Sequence, residues 1–457
     1  MAETVMERNK NILMVALNSS WSQSNLAFFY LREIIKPFNY SVQIIDFTLK
    51  DHLADVLSHV YNVSADIICF SAYIWNCDYL QKLIPELKKL LPHAIIVLGG
   101  PESINRDYGL TAEDFCISGS GEGAFMGLAT TGFTKLSAQP HIPLKDIPFP
   151  YSVEDKATLE GKLVYYECYR GCPYGCVYCL SANDMRHELR FNPDIPADLD
   201  RLDKELAALV NLKPKTLKFI DRSFNIFPKL AHHIWKFFIS NPAACEVHFE
   251  IYPDLLCEED FRILETAPAG LIRFEVGIQT TNEAVAVNCG RNSNWGKAKQ
   301  ALISLKQRTN IRIHADLLAG LPGETYGSVL NSLNQLCSTL PDAVQLGMLK
   351  ILPDTPMAAI AQERGYKWLN HPPYQCLSSD ALSYPELCKL EALAKLLNLY
   401  WNKEEYPEEW AMLLQKHQAS DLLYRLWDFH RELGYDLHSL ARGKREQVMQ
   451  LLLARMS

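Results

Sequence analysis

Residues 167–180 read ECYRGCPYGCVYCL, and three cysteines in this run, Cys172, Cys176 and Cys179, are separated by three and then two residues. Gly171, Pro173 and Gly175 lie among them, so the backbone can bend sharply enough to bring the thiols toward one point. Thiolates are the natural ligands of iron–sulfur clusters, and a short glycine-containing loop can wrap three of them around one cube. Only three protein ligands on a four-iron cluster leave one iron open to a substrate-like molecule. Zinc is the competing reading. It takes four ligands, and Cys168 would have to be recruited as the fourth.

The elements that must hold such a loop are legible as alternating periodicities. LVYYE (163–167) runs directly into the cysteines, and further β-branched runs follow at 216–221, 246–251, 272–278, 311–318 and 343–349. Helical patterns lie between them, for example at 198–210 and 324–337. Six strand–helix repeats predict a (β/α)6 partial TIM barrel, whose working face is the carboxyl end of the strands. Upstream, short runs at 12–17, 41–47, 66–71, 94–100 and 114–118 alternate with amphipathic stretches such as 76–91, which predicts a Rossmann-like parallel sheet. Its strand ends carry Asn18-Ser19-Ser20, Ser71-Ala72-Tyr73, Gly99-Gly100-Pro101-Glu102 and Gly121-Glu122-Gly123, the small polar residues a backbone needs to hug a large ligand. Pro140, Pro143, Pro148 and Pro150 mark a linker, and the chain from about 385 reads as helices. The fold class is therefore α/β, with domains at 1–130, 161–355 and 356–457 (the last helical) and a linker at 131–160.

Composition narrows the partners. The net charge of −8 argues against nucleic acid as a partner. No stretch approaches the roughly 20 apolar residues that span a bilayer, and MAETVMERNK is too polar for a signal peptide, so a cytoplasmic, non-membrane protein is expected. Thirteen cysteines in such a setting point to free thiols and a metal site rather than a disulfide framework.

RGCPYGCVYC resembles the cluster loop of the radical S-adenosylmethionine (SAM) superfamily, in the subgroup that places a cobalamin-binding Rossmann domain before the barrel. The resemblance covers essentially the whole chain, and the C-terminal helices look like the extension of an uncharacterised branch. It implies a 4Fe–4S cluster on Cys172, Cys176 and Cys179 whose open iron takes the amino and carboxylate groups of SAM, and an electron donor such as flavodoxin or ferredoxin. One departure is that the family often has Thr or Ser where Cys168 and Tyr169 stand. By the same resemblance Asp221, Glu250, Glu275 and Gln279 would contact SAM, and Gly320, Gly323 and Glu324 would form the turn that packs near adenine. Read singly, Glu250 and Glu275 are equally ordinary strand carboxylates that could pair with Arg273.

Ser71, Tyr73, Gly99, Gly100, Glu102, Gly121 and Glu122 match a cobalamin-type site. The Asp-x-His-x-x-Gly motif that gives cobalt a histidine is missing; Tyr73, Trp75 and Trp21 could instead cover the lower face of the corrin, or simply pack an interface. The implied activity is cobalamin-dependent radical methylation of an unactivated carbon, on a small molecule or peptide rather than nucleic acid. Rearrangement, cyclisation or methylthiotransferase-like chemistry are the alternatives. The last would want an extra cysteine where Leu17-Asn18-Ser19 stand. A non-catalytic cobalamin or iron–sulfur sensor is the reading of another class.

Overall fold

The computed structural model describes residues 10–136, 141–184, 186–242 and 245–456. Pro140 of the expected linker and most of the polar N-terminal decapeptide lie outside the described residues. The chain divides into two compact units, Met1–Tyr166 with Glu188–Lys218, and Glu167–His187 with Phe219–Ser457.

In the first unit, β1 (Asn11–Asn18), β2 (Ser41–Thr48), β3 (Ile67–Ser71), β4 (Ile95–Gly99) and β5 (Phe115–Cys116) form a parallel sheet of order β2-β1-β3-β4-β5. The central strands β1 and β3 are buried along almost their whole length, which is why they read as continuous apolar runs rather than alternating ones. Three helices join the strands and a fourth follows β5. Of these, α1 (Leu26–Ile35) packs with α4 (Gly121–Thr130), and α2 (Leu53–Val63) with α3 (Cys77–Leu90). The strand order reverses between β1 and β3, and ligands in such sheets bind outside the strand ends at that switch point.

This unit also contains β6 (Leu163–Tyr166) and the helix Pro196–Asn211. A buried charge network fixes them: Arg190, 1% exposed, donates to Glu205 Oε2 at 3.1 Å, and Tyr166 donates to the same oxygen. Arg201 adds a bond to Oε1 at 2.8 Å, and the Arg190 guanidinium lies against the Tyr30, Tyr166 and Phe191 rings.

In the second unit the strands Glu246–Ile251, Ile272–Gln279, Arg312–Ala319 and Ala343–Met348 run parallel in sequence order. Their burial alternates. Val247, Phe249 and Ile251, then Ile272, Phe274, Val276 and Ile278, then Ile313, Ala315, Leu317 and Ala319 are core. A strand side chain points to the opposite face from its neighbours, so the intervening residues share the other face: His248 and Glu250, Arg273, Glu275, Gly277 and Gln279, Arg312, His314 and Asp316. That face is almost wholly polar.

The C-terminal region is mainly helical, with helices at Pro356–Glu363, Tyr384–Leu396, Pro407–Leu413, Ala419–Leu433 and Arg442–Met456. It also holds a small antiparallel pair, Lys367–Trp368 with Cys376–Ser378, that was not legible as strands because each is only two or three residues long. Asn402 covers the strand Ala343–Met348 as a further strand would, its side chain accepting from Val344 N at 2.8 Å and donating to Val344 O at 2.9 Å. Among the described residues no helix is long and apolar enough to cross a membrane.

Removing one partner of a buried ion pair leaves the other charge uncompensated, at a cost of about 3–5 kcal/mol. Glu205→Ala is therefore expected to lower folding stability by that amount in urea titrations, with Glu205→Gln falling between it and the wild type. A loss below about 1 kcal/mol would show that Arg190 finds water or another acceptor.

Candidate functional site

The cysteine loop is fixed by its backbone. Cys168 N donates to both Asp221 oxygens at 3.1 Å, Val177 N to Cys289 O at 3.0 Å, and Met357 N to Val177 O at 2.9 Å. Gly290, at φ +66°, sits so close to the loop that a Cβ there would meet Gly175 O at 2.6 Å. A side chain at 290 would push the loop away.

Held this way, Cys172, Cys176 and Cys179 line one open cavity together with residues of the strand ends. Among the described residues no three His, Cys, Asp or Glu side chains converge tightly enough for a single metal ion. Cys168 is fully buried and is not among the residues lining the cavity, so a zinc site with Cys168 as fourth ligand does not match this arrangement. Burial raises the Cys172 thiol, with the Tyr174 amide and Ser223 hydroxyl opposing and the other two thiols adding to the rise. Bound iron, not local acidity, would have to displace its proton.

The polar face of the strands supplies the rest of the cavity. Glu250, Glu275, Gly277, Gln279 and Asp316 line it, together with Arg222, Tyr174, Tyr178, Tyr252 and Arg291. The pairing register sets Glu250 beside Glu275 and Gly277 beside Asp316. Arg222 Nη1 lies 3.3 Å from Glu250, and His248 Nε2 lies 2.9 Å from Glu275. Gln279 sits at φ +67°, beyond an irregularity in the ladder, which turns it out of the regular strand direction.

Of the residues named from sequence, the three cysteines, Glu250, Glu275 and Gln279 come together here. Asp221 does not line the cavity. It is 2% exposed, spends its oxygens on Cys168 N, and is driven well above the carboxylate range by burial. Gly320 and Gly323 lie on the turn after the strand Arg312–Ala319 and do not line the cavity either. Glu324 closes that turn: its Oε1 accepts from Thr280 at 2.6 Å, and burial pushes its carboxyl up to about 7, against the opposing hydrogen bonds.

Arg291 was not legible in advance. It is 7% exposed and donates to Tyr252 OH at 2.8 Å and to Gly277 O; its guanidinium lies 4.6 Å from the Tyr252 ring and 3.9 Å from Cys176 Sγ. Its Nε is buried without a partner among the described residues. An orphaned polar atom on a cavity-lining cation is what a missing polar ligand leaves. No spacing signal marks Arg291 in NCGRN, whereas Asp316 could have been found from the single charge in an otherwise apolar ADLLAG.

In the first unit the switch-point loops are equally well built. Asn76 donates to Leu17 O and Ser71 O and accepts from Tyr73 N, and Asn25 donates to Ser71 Oγ at 2.7 Å. Gly100, at φ +96°, is required by the protein itself, since a Cβ would meet Ala72 O at 2.5 Å. Gly99 and Gly121 have room for one. Glu102 is buried, with Tyr108 OH bonded to its carbonyl, and Glu122 lies in the first turn of α4. Tyr73 and Trp75 stack face to face at 4.4 Å, with Trp75 48% and Trp21 70% exposed. Exposed aromatics beside a tight backbone fit a large flat ligand.

Residues 13–129 match the model of the B12 binding domain, 166–336 that of the radical SAM superfamily, and 362–452 that of a protein family of unknown function, DUF4080. The chain is 25% identical over 340 residues to the cobalamin-dependent radical SAM methyltransferase TokK of Streptomyces tokunonensis, covering 65% of this chain and 48% of TokK. It is 24% identical over 344 residues to the 2-(S-pantetheinyl)-carbapenam-3-carboxylate methyltransferase of Streptantibioticus cattleyicolor, covering 66% and 49%. The chain thus spans about half the length of these curated relatives. Among solved structures, the radical SAM methyltransferase TsrM of Kitasatospora setae, with tryptophan and a SAM analogue bound, aligns at TM-score 0.68 and 16% identity, covering 98% of this chain and 100% of that one. The cobalamin-dependent enzyme OxsB aligns at TM-score 0.65 and 14% identity, covering 98% and 80%. These similarities bear out the α/β fold class and the order of its domains.

Two outcomes follow from the site. Reconstituted without oxygen, the protein is expected to bind about four irons; Cys172→Ala, Cys176→Ala and Cys179→Ala should each lose the cluster's visible absorbance, and Cys168→Ala should keep it. Full iron content in Cys176→Ala would overturn the ligand set. For Glu324, the carboxyl rises from an ordinary 4.5 to about 7 in the folded chain. Its contribution to stability is thus whole below pH 4.5 and is lost as pH climbs through 7, by about 3 kcal/mol. Glu324→Gln should gain on the wild type by that order between pH 5 and 8 in denaturant titrations, and parallel curves would rule the effect out.

Proposed function

This chain belongs to the cobalamin-dependent radical SAM family, and from that premise we propose that it is a methyltransferase acting on an unactivated carbon of a small molecule or peptide. The observation that carries the reading is the single cavity in which three clustered thiols face Glu250, Glu275, Gln279, Asp316 and the buried Arg291. When bound, the cluster supplies the electron that splits SAM into methionine and a 5′-deoxyadenosyl radical, and cobalamin carries a methyl group.

The chain's own residues do the binding and orienting. Arg291 is a fixed cation: burial works against its charge, but Tyr252, Tyr178 and Cys176 more than restore it. On this reading it meets the carboxylate of SAM, Glu250 or Glu275 the amine, and Gln279 and Asp316 the ribose hydroxyls, all of them residues that line the same cavity. Asp221 acts one step back, holding Cys168 and hence the start of the loop. The edge formed by Ser71, Tyr73, Gly99, Gly100, Glu102, Gly121 and Glu122 is the cobalamin site, with no histidine in those loops to reach cobalt. A flavodoxin- or ferredoxin-type protein would deliver the electron.

With dithionite and SAM, the reconstituted protein should yield 5′-deoxyadenosine and methionine, and it should retain cobalamin whose electron paramagnetic resonance shows no protein nitrogen on cobalt. Arg291→Gln should keep its iron but bind SAM about ten- to a hundredfold more weakly, the value of one charge-assisted hydrogen bond. Protein that holds four irons yet never cleaves SAM would favour the sensor reading instead.

A further inference from the structure

The turn 320–324 does not stand alone. Gly323 N donates to Asp380 Oδ1 at 3.1 Å, Tyr366 OH lies 3.2 Å from both Gly320 O and Asp380 Oδ1, and Arg364 Nη1 holds Asp380 Oδ2 at 2.8 Å. Gly320, at φ +102°, packs against Cys376, whose Sγ lies 3.6 Å from where a Cβ would be. Arg364, Tyr366, Cys376 and Asp380 all belong to the stretch 362–452 that matches the family of unknown function. Tyr366 is 3% exposed, so its hydroxyl is committed to this contact.

From the turn the connection runs inward. Glu324 accepts from Thr280 Oγ1 at 2.6 Å, and Thr280 directly follows Gln279, the cavity residue held at φ +67°. A left-handed glutamine persists only where its surroundings impose it. Met357 N, on the helix Pro356–Glu363 that leads into this stretch, also holds Val177 O of the cysteine loop.

We infer that the Arg364–Tyr366–Asp380 cluster is a clamp by which the C-terminal region sets the SAM cavity, fixing the 320–324 turn and, through Glu324 and Thr280, the position of Gln279. These are positioning residues, since none of them lines the cavity. The function of the 362–452 region on this view begins with completing the cofactor site of the preceding domain. The inference rests on the reading that this cavity takes SAM.

The test uses the full chain, reconstituted with its cluster, in Asp380→Ala, Asp380→Glu and Tyr366→Phe forms. Iron content, SAM affinity and hydrogen exchange of the peptide covering 316–326 are measured for each. Asp380→Ala should keep the wild-type iron, exchange the turn amides faster, and bind SAM about tenfold more weakly, the effect of about one lost hydrogen bond to a charged group. Tyr366→Phe should move in the same direction by less, and Asp380→Glu should recover part of the affinity. SAM affinity within twofold of wild type in both Asp380→Ala and Tyr366→Phe would overturn the clamp, even with faster exchange in the turn. If Asp380→Ala does not fold, Tyr366→Phe alone decides. Wild-type protein that holds its cluster but does not bind SAM would sink the functional reading first, and the clamp with it.

Discussion

Three thiols gathered on one short loop oppose one another once they ionise, so the loop that carries them must be held by something other than itself. Cys176 and Cys179 each make the Cys172 thiolate less favourable, and burial adds to the effect. The loop is secured at its backbone instead, where hydrogen bonds do not depend on whether iron is present. Asp221 holds its start, while Cys289 and Met357 hold Val177 between the second and third cysteines. The side chains are thereby left to the cavity.

The same division of labour runs through the second unit. Alternation along its strands sends Phe249, Phe274 and Ile313 into the core and leaves Glu250, Glu275 and His314 on the opposite face. Adjacent carboxylates on neighbouring strands would repel, yet Arg222 and His248 sit within 3.3 Å of them. Arg291 is the extreme case, a buried cation beside a thiol and two tyrosines, with donors to spare.

Much of this was legible because it is periodic or locally spaced. The runs at 246–251 and 272–278 fall on strands within one residue, and the cysteine triad, Glu250, Glu275 and Gln279 meet in one cavity as their order along the chain implied. What escaped is long-range or conformational. Arg291 enters the cavity from a loop, and its value comes from Tyr252 and Gly277, which no local pattern links to it. Asp221 has the expected position at a strand end but serves Cys168 N. Gly100 looked like a residue that makes room for a ligand, whereas the approach it permits is that of Ala72. The Lys367–Trp368 and Cys376–Ser378 pair is too short for alternation to show.

Asn402 gives the sheet a finished border with one amide group, supplied from a helical region some fifty residues downstream of the strand it covers. A chain interrupted before that residue would present Val344 with its N–H and C=O open, on a strand whose other side is already paired. Such an edge is a template for another copy of itself. Fragments released during synthesis or by proteolysis upstream of 402 would therefore carry an open strand edge that the full chain closes with one amide group.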